Sequence, residues 1–179
     1  MSIPCRVTRV LTAVCGLLLA GIGACGGPAR TPADPTDLSV PSAVAPPAPQ
    51  PSAEGPCPYL DQEDVAVANG QLVGSVRTST DRPHPACFFF RGDGTEQLRT
   101  WIVVATPEVA GATVDAAAPV ATSDLAELPR GWSGGSQPTS SGAVFAVARQ
   151  GTAVVITTNQ QQTIGARRIA EQVIAALGG

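Results

Sequence analysis

The sequence predicts an α+β fold, in which an antiparallel sheet of about five strands is covered by helices. Two pairs of strand-like segments, residues 86–91 with 97–106 and residues 143–149 with 153–158, are each joined by a short turn that contains glycine, which is typical of a β-hairpin. Residues 163–177 form an amphipathic C-terminal helix, because apolar side chains recur there every three or four positions. Packing such a helix on the hairpins buries the apolar side of both.

The remaining segments complete the order of elements. Residues 58–70 form a short helix that begins with acidic side chains and ends at an Asn-Gly pair. Residues 72–77 form a first strand, and residues 108–118 form a second helix that its internal glycine weakens. We expect residues 119–138, which are rich in Gly, Ser and Pro, to be a loop.

Residues 1–24 are typical of a lipoprotein signal peptide. Arg6 and Arg9 precede a short apolar segment that ends in small residues immediately before Cys25. That segment is shorter than the roughly 20 apolar residues needed to span a bilayer. We therefore expect cleavage before Cys25, acylation of its thiol, and a chain anchored on the extracytoplasmic face of the cell membrane.

Residues 25–56 are dominated by Pro, Ala, Ser and Thr and lack the periodicity that buries a core. This composition predicts a tether of partly polyproline character that holds the folded part away from the membrane. The sequence accordingly divides into a signal peptide, a lipidated tether, and one α+β domain over residues 57–179.

The charge balance excludes one class of partner. The formal net charge is −3, and loss of Arg6 and Arg9 with the signal peptide makes the remainder more acidic, so no nucleic-acid partner is expected. All 11 basic residues are Arg, and Ala, Gly and Pro are abundant, which indicates GC-rich coding sequence of an actinobacterial kind. The remaining partners are the membrane, through Cys25, and an unknown envelope protein, glycan or lipid.

The five cysteines separate by position. Cys5 and Cys15 lie in the signal peptide and Cys25 is the lipid acceptor, so Cys57 and Cys87 remain as a pair. In an exported domain the simplest interpretation of such a pair is a disulfide. A redox or metal-binding pair is the alternative, but it needs closer spacing or further ligands.

Residues 131–135 match the G-x-S-x-G pattern of a nucleophile elbow, with Ser133 at its centre. No strand-turn-helix signal surrounds the motif, and the single histidine, His84, precedes the serine instead of following it. We therefore expect a glycine-rich surface loop, in which Trp132 packs on the domain edge or contributes to a contact patch. The sequence shows no catalytic set, metal spacing or cofactor fingerprint, and we expect a protein that is not an enzyme.

A run of seven uncharged polar residues, 157–163, follows the last apolar strand. Its amides and hydroxyls could bind sugar or peptide groups together with the glycine-rich loop. Alternatively, Asn159 or Thr163 caps the last helix and the run has no further role. The candidate binding surface consists of Trp132, Gly134, Gly135, Asn159 and Gln160.

The assembled pattern resembles an uncharacterised family of actinobacterial lipoproteins that carry a domain of unknown function. The residues that carry this resemblance are 57–60, 68–71, 86–89, 131–132 and 157–160. It implies two acyl chains on Cys25, a location and a fold, but no activity. The order of elements is also similar to small envelope domains of the PsbP and LpqN type, which is an analogy of fold alone.

Three functions follow from these observations. We favour a membrane-anchored, non-catalytic binding module. The alternative is a carrier of an apolar or lipid ligand, suggested by the aliphatic strands and by Phe88, Phe89 and Phe90. Because side chains alternate along a strand, only one face of that phenylalanine strand is buried in the core, and the other could contact a ligand. A serine hydrolase that uses Ser133 is the least favoured.

Overall fold

The computed structural model describes residues 42–178. The predicted signal peptide, Cys25 and the first part of the tether lie outside the described residues. Within the described range, no helix is both long enough and apolar enough to cross a membrane.

One antiparallel sheet of eight strands forms the centre of the described fold. Its strands are β1 (Ala53–Glu54), β2 (Ser75–Thr78), β3 (Cys87–Phe90), β4 (Glu96–Val104), β5 (Asp124–Leu128), β6 (Trp132–Thr139), β7 (Gly142–Arg149) and β8 (Thr152–Thr158). Across the sheet they are ordered β1-β2-β3-β4-β8-β7-β6-β5. The predicted α+β class and both hairpins are confirmed, but the expected number of about five strands is wrong.

The additional strands come from segments that the sequence assigned to loop and tether. Residues 119–138 contain β5 and most of β6, which pair with each other and with β7. Glycine is required at Gly134 because a Cβ there would overlap the carbonyl oxygen of Ala146 and the side chain of Val114. The same residues that weaken the strand pattern in the sequence therefore permit close packing of this strand.

Three helices flank the sheet: α1 (Gln62–Asn69), α2 (Pro107–Ala117) and α3 (Thr163–Ala176). Helix α1 ends at Gly70, whose φ of 68° is the left-handed conformation that glycine adopts most easily. Helix α2 begins with Pro107 behind Thr106, whose side chain accepts a hydrogen bond from the Val109 amide. All three helices lie where the sequence predicts them.

The two faces of the sheet carry separate apolar cores. The larger core lies under α1 and α3, and the smaller one lies under α2. Large members of the first core are Phe89, Leu98, Phe145, Ile156 and Ile169, and members of the second are Val103, Ala110, Val114, Val144 and Val155. Because successive side chains of each central strand point to opposite faces of the sheet, one strand contributes apolar residues to both cores.

On its face of the sheet, helix α2 packs on β4, β6, β7 and β8. There Phe88 stands between two arginines, since it pairs in register with Arg77 on one side and Arg99 on the other. The guanidinium carbon of Arg99 lies 5.8 Å from the ring centroid of Phe88, which is only 1% exposed.

Upstream of the first strand, Pro49 is also buried. The folded part thus includes residues upstream of Cys57, which the sequence assigned to the tether.

Cys57 and Cys87 form a disulfide, as the sequence predicts. Their Cα atoms lie 5.6 Å apart, and the bond joins the segment before α1 to the start of β3. The two residues are separated by 30 positions along the chain, so the bond closes a loop that includes α1 and β2.

Replacing both cysteines, Cys57→Ala with Cys87→Ala, should lower the free energy of unfolding by about 3.5 kcal/mol, because the unfolded chain regains the entropy of the open loop. Urea denaturation followed by circular dichroism measures the loss. Reductant should destabilise the unmodified chain by a similar amount and leave the double variant unchanged. Equal stability of the unmodified chain with and without reductant would contradict this role for the bond.

Candidate functional site

The residues of the predicted binding surface lie in two separate parts of the sheet, in β6 and beyond the end of β8. Trp132 is the first residue of β6 and pairs with Leu128 of β5. The next residue, Ser133, pairs with Ala148 of β7, which in turn pairs with β8 near its start. Asn159 and Gln160 follow the end of β8. At about 3.3 Å per residue, the length of β8 separates Trp132 from Asn159 and Gln160 by roughly 20 Å. The structure therefore does not bring the five residues into one site.

Trp132 is a core residue. Its side chain is 4% exposed, belongs to the larger core, and has the guanidinium carbon of Arg149 5.5 Å from its ring centroid. Gly135 is buried within β6, where a Cβ would overlap the Ser123 side chain and the Ala118 carbonyl oxygen. The expected glycine-rich surface loop is thus a strand in which Trp132 and Gly135 serve packing.

Asn159 belongs to a polar cluster at the opposite end of the sheet. The centre of this cluster is Asn69, at the end of α1, which is 5% exposed. Its side-chain amide donates to the side-chain oxygens of Gln97, at 3.1 Å, and Asn159, at 3.2 Å, and its oxygen accepts from the Thr158 hydroxyl. The cluster consists of Asn69, Gln71, Gln97, Thr158, Asn159 and Gln160.

The members of this polar cluster satisfy one another. Gln97, which is 1% exposed, donates to the Leu72 carbonyl oxygen at 3.0 Å, and the Asn159 amide donates to Gln71 at 3.0 Å. Buried polar groups that are fully hydrogen-bonded hold elements in place, whereas a ligand would have to displace these bonds. The polar cluster therefore fixes the end of α1 against β4 and β8.

The alternative interpretation of the polar run, a side-chain cap on the last helix, is wrong. Gln162 occupies the N-cap position of α3 and makes no capping hydrogen bond through its side chain. Thr163 is the first helical residue, and the Asn159 side chain is engaged in the polar cluster. The run instead connects β8 to α3 through that cluster.

Ser133 lies within β6, where it pairs with Glu127 and Ala148, and not on a strand-to-helix turn. His84 precedes β3, and strands β4, β8 and β7 lie between β3 and β6. At about 4.8 Å per strand, roughly 20 Å separates the two regions. This arrangement does not place an imidazole within reach of the Ser133 hydroxyl.

His84 is engaged by Tyr59 instead. The Tyr59 hydroxyl lies 3.0 Å from the His84 Nδ1 atom, and the two rings are 6.0 Å apart. Burial raises the pKa of Tyr59 above its usual value near 10.0, so the phenol is protonated at neutral pH. In the described range no group of three or more His, Cys, Asp or Glu side chains could hold a metal ion.

Two clefts flank Trp101 on the side of the sheet that carries α2. The larger has a volume of about 470 Å³ and is lined by β4, β7, β8 and the exposed flank of α2. The smaller, of about 230 Å³, extends towards the loop that contains His84. Trp101 and Pro46 line both clefts, so the indole and the proline-rich residues 45–49 lie together between them.

The lining of the larger cleft is apolar with few polar groups. Ala117, Val144 and Val155 supply aliphatic surface, and Arg99 and Thr157 stand in register beside each other on neighbouring strands. This composition is typical of a small-ligand or peptide site. Sequence reasoning placed Trp101 on a strand but gave no indication of this site.

The charge of Arg99 is partly balanced by Glu96. The Nε atom of Arg99 lies 3.5 Å from Oε1 of Glu96, and both side chains remain partly exposed. Burial raises the pKa of the Glu96 carboxyl, and the positive charge of Arg99 opposes that rise. The guanidinium at the edge of the larger cleft thus keeps donors for a carbonyl or carboxylate.

A family model described as a domain of unknown function, DUF2020, matches residues 38–179. The chain belongs to the DUF2020 family. No curated protein matches it. The predicted resemblance to a family with a domain of unknown function is confirmed in this form. Because the DUF2020 match begins before residue 42, the proline-rich residues 45–49 beside Trp101 are part of the DUF2020 domain and not only a spacer.

In the DUF2020 domain, Asn69→Ala should lower the free energy of unfolding by about 1–3 kcal/mol, since it leaves buried partners without hydrogen bonds. Gln161→Ala is the matched control, because Gln161 is exposed and its side chain donates to the Thr139 carbonyl oxygen at the surface. It should change stability by less than about 0.5 kcal/mol. Urea denaturation of both variants measures the difference, and equal effects would contradict a structural role for the polar cluster.

Proposed function

We propose that this DUF2020 protein is a lipid-anchored, non-catalytic binding module of the cell envelope, and that its binding site is the pair of clefts around Trp101. Acylated Cys25 would hold the domain on the extracytoplasmic face of the membrane. The anchor determines location, and the clefts provide recognition. The observation that carries the binding proposal is the half-buried indole between two clefts that are open to a ligand.

The chemistry of the clefts supports binding. An aromatic ring with aliphatic neighbours supplies contact area at low entropic cost, and Arg99 and Thr157 can orient a polar group. A hydrolase that uses Ser133 has no comparable support, because that serine lies within a strand and across the sheet from His84.

A carrier of an apolar or lipid ligand is the second candidate. It is favoured by the aliphatic lining that α2, β7 and β8 contribute to the larger cleft. The volume of about 470 Å³ falls within the usual range for small-molecule sites, about 300–1,000 Å³. Such a ligand would lie along the sheet with a polar end near Arg99.

The anchor can be tested separately from the site. Cys25→Ala should abolish labelling of the chain by a clickable fatty acid in the native host, because the acylated thiol is lost. The processed, membrane-bound form of the chain should also be absent. Cys15→Ala is the matched control and should leave labelling unchanged. Undiminished labelling of the Cys25 variant would contradict the proposed anchor.

The binding site can be tested by a photo-crosslinking side chain introduced at Ala116, which is exposed and lines the larger cleft. Irradiation of intact cells should yield a reproducible adduct, whether protein, glycan or lipid, identified by mass spectrometry. The same side chain at Glu171, which is exposed on α3 across the sheet, is the control and should not give that adduct. Identical products from both positions, or none from Ala116, would contradict the site.

A further inference from the structure

The groove over Trp101 already contains a piece of polypeptide. Residues 45–49, Ala-Pro-Pro-Ala-Pro, run between the two clefts, and Pro46 faces both. Pro49 is buried while Pro47 and Ala48 are exposed, so one side of the segment contacts the domain and the other faces solvent. This is how a short extended ligand lies in a surface groove.

The segment is held by side-chain packing and not by the sheet. In the described part of the chain, main-chain pairing with β2 starts at Ser52, whose amide donates to the Thr78 carbonyl oxygen at 2.9 Å. Among residues 42–178, the main chain of residues 45–49 makes no hydrogen bond to the sheet. Proline has no amide hydrogen and favours an extended polyproline conformation before any contact is made, so it loses little entropy on docking.

We propose that the groove over Trp101 is a binding site for an extended, proline-rich segment of a partner polypeptide, and that residues 45–49 occupy it as a ligand from the same chain. This inference rests on the proposed binding function and names the class of its ligand. Aromatic-lined grooves bind such segments because proline rings pack against flat aromatic surfaces. The chain's own segment shows that the groove accepts this chemistry.

The groove fits this ligand better than a buried acyl chain. Trp101 is only half-buried, and both clefts open to solvent on either side of the proline-rich segment. Removal of that segment would join the clefts into one continuous groove from the His84 loop to α2. A long, shallow surface of this kind suits a polypeptide, which tolerates solvent along one side.

Occupancy by the same chain sets the conditions for binding. A segment connected by a few residues competes at an effective concentration in the millimolar range or above. A partner therefore binds the unmodified chain weakly unless its own segment fits the groove better or several copies act together. Weakening the docked segment should expose the site without changing the groove.

The test uses the full chain in lipid nanodiscs with the substitutions Pro46→Gly and Pro49→Gly, which loosen the extended conformation. The probe is a synthetic peptide with the sequence of residues 42–52. Tryptophan fluorescence and calorimetry should give a Kd for the double-glycine variant that is lower than that of the unmodified chain by roughly tenfold or more. Pro119→Gly, in a loop outside the groove, is the control and should bind like the unmodified chain.

Two further controls examine the specificity of binding. A peptide with glycine in place of both matching prolines should bind the double-glycine variant at least about tenfold more weakly, since it is not extended beforehand. In the double-glycine background, Trp101→Phe should weaken binding and Trp101→Ala should abolish it, with circular dichroism confirming the fold. Arg149→Ala, beside Trp132 on the opposite face of the sheet, should leave peptide binding unchanged.

A folded double-glycine variant that does not bind the peptide, or binds it equally well without Trp101, would overturn the inference. Decanoate that occupies the groove while the peptide does not would assign it to an apolar carrier instead. Dimers of the unmodified chain that the glycine substitutions abolish would assign the groove to a second copy. If the photo-crosslinking side chain introduced at Ala116 still captures a partner while the peptide fails to bind, the proposed function stands and only this inference fails.

Discussion

The antiparallel pairing of β4 with β8 is the interaction on which the rest of the described structure depends. It runs without a break from Leu98 opposite Thr158 to Val104 opposite Thr152. The strands β1–β4 lie on one side of this pairing and β5–β8 lie on the other. Helix α2 and three strands intervene in the chain between β4 and β8, so the pairing is non-local and must form against the entropy of closing a long loop.

Both polar and apolar features of the domain follow from this register. At one end of the pairing, Leu98 opposite Thr158 places Gln97 and Asn159 beside Asn69, and the polar cluster forms. Further along, Trp101 lies opposite Val155 and becomes the floor of the two clefts. A shift of one residue would turn these side chains to the opposite face of the sheet and remove both features together.

The sequence predicted those elements whose signal is local. The hairpin turns, the periodicity of residues 163–177 and the Asn-Gly end of the first helix each depend on neighbouring residues, and each is present. Strand β6 has no such signal, because Gly134 and Gly135 are needed only where the backbone of β7 and helix α2 come close. That requirement exists only in the folded chain, so composition alone indicated a loop.

The candidate site could not be predicted for a related reason. Trp132 is large, solitary and surrounded by glycine, which suggests exposure, but its position at the start of a paired strand buries it. Trp101 lies within an apolar run, which suggests burial, yet α2 does not extend far enough to cover it and residues 45–49 lie beside it. Whether Trp101 or Trp132 is accessible depends on how far the helices and segments that cover each one extend. The residues next to each tryptophan in the sequence do not reveal that length.

A proline-rich segment that docks on the domain also couples partner binding to the length of the free tether. While residues 45–49 lie in the groove, they add nothing to the length of chain between the domain and the proposed anchor at Cys25. In the proposed exchange, a partner that displaces them releases a segment that spans roughly 17 Å when extended. Because the displaced segment and the incoming one share the same chemistry, the groove itself neither gains nor loses a large apolar surface in the exchange. The free energy of exchange then depends on local concentration, which, under the proposed anchoring, favours partners held at the same membrane face.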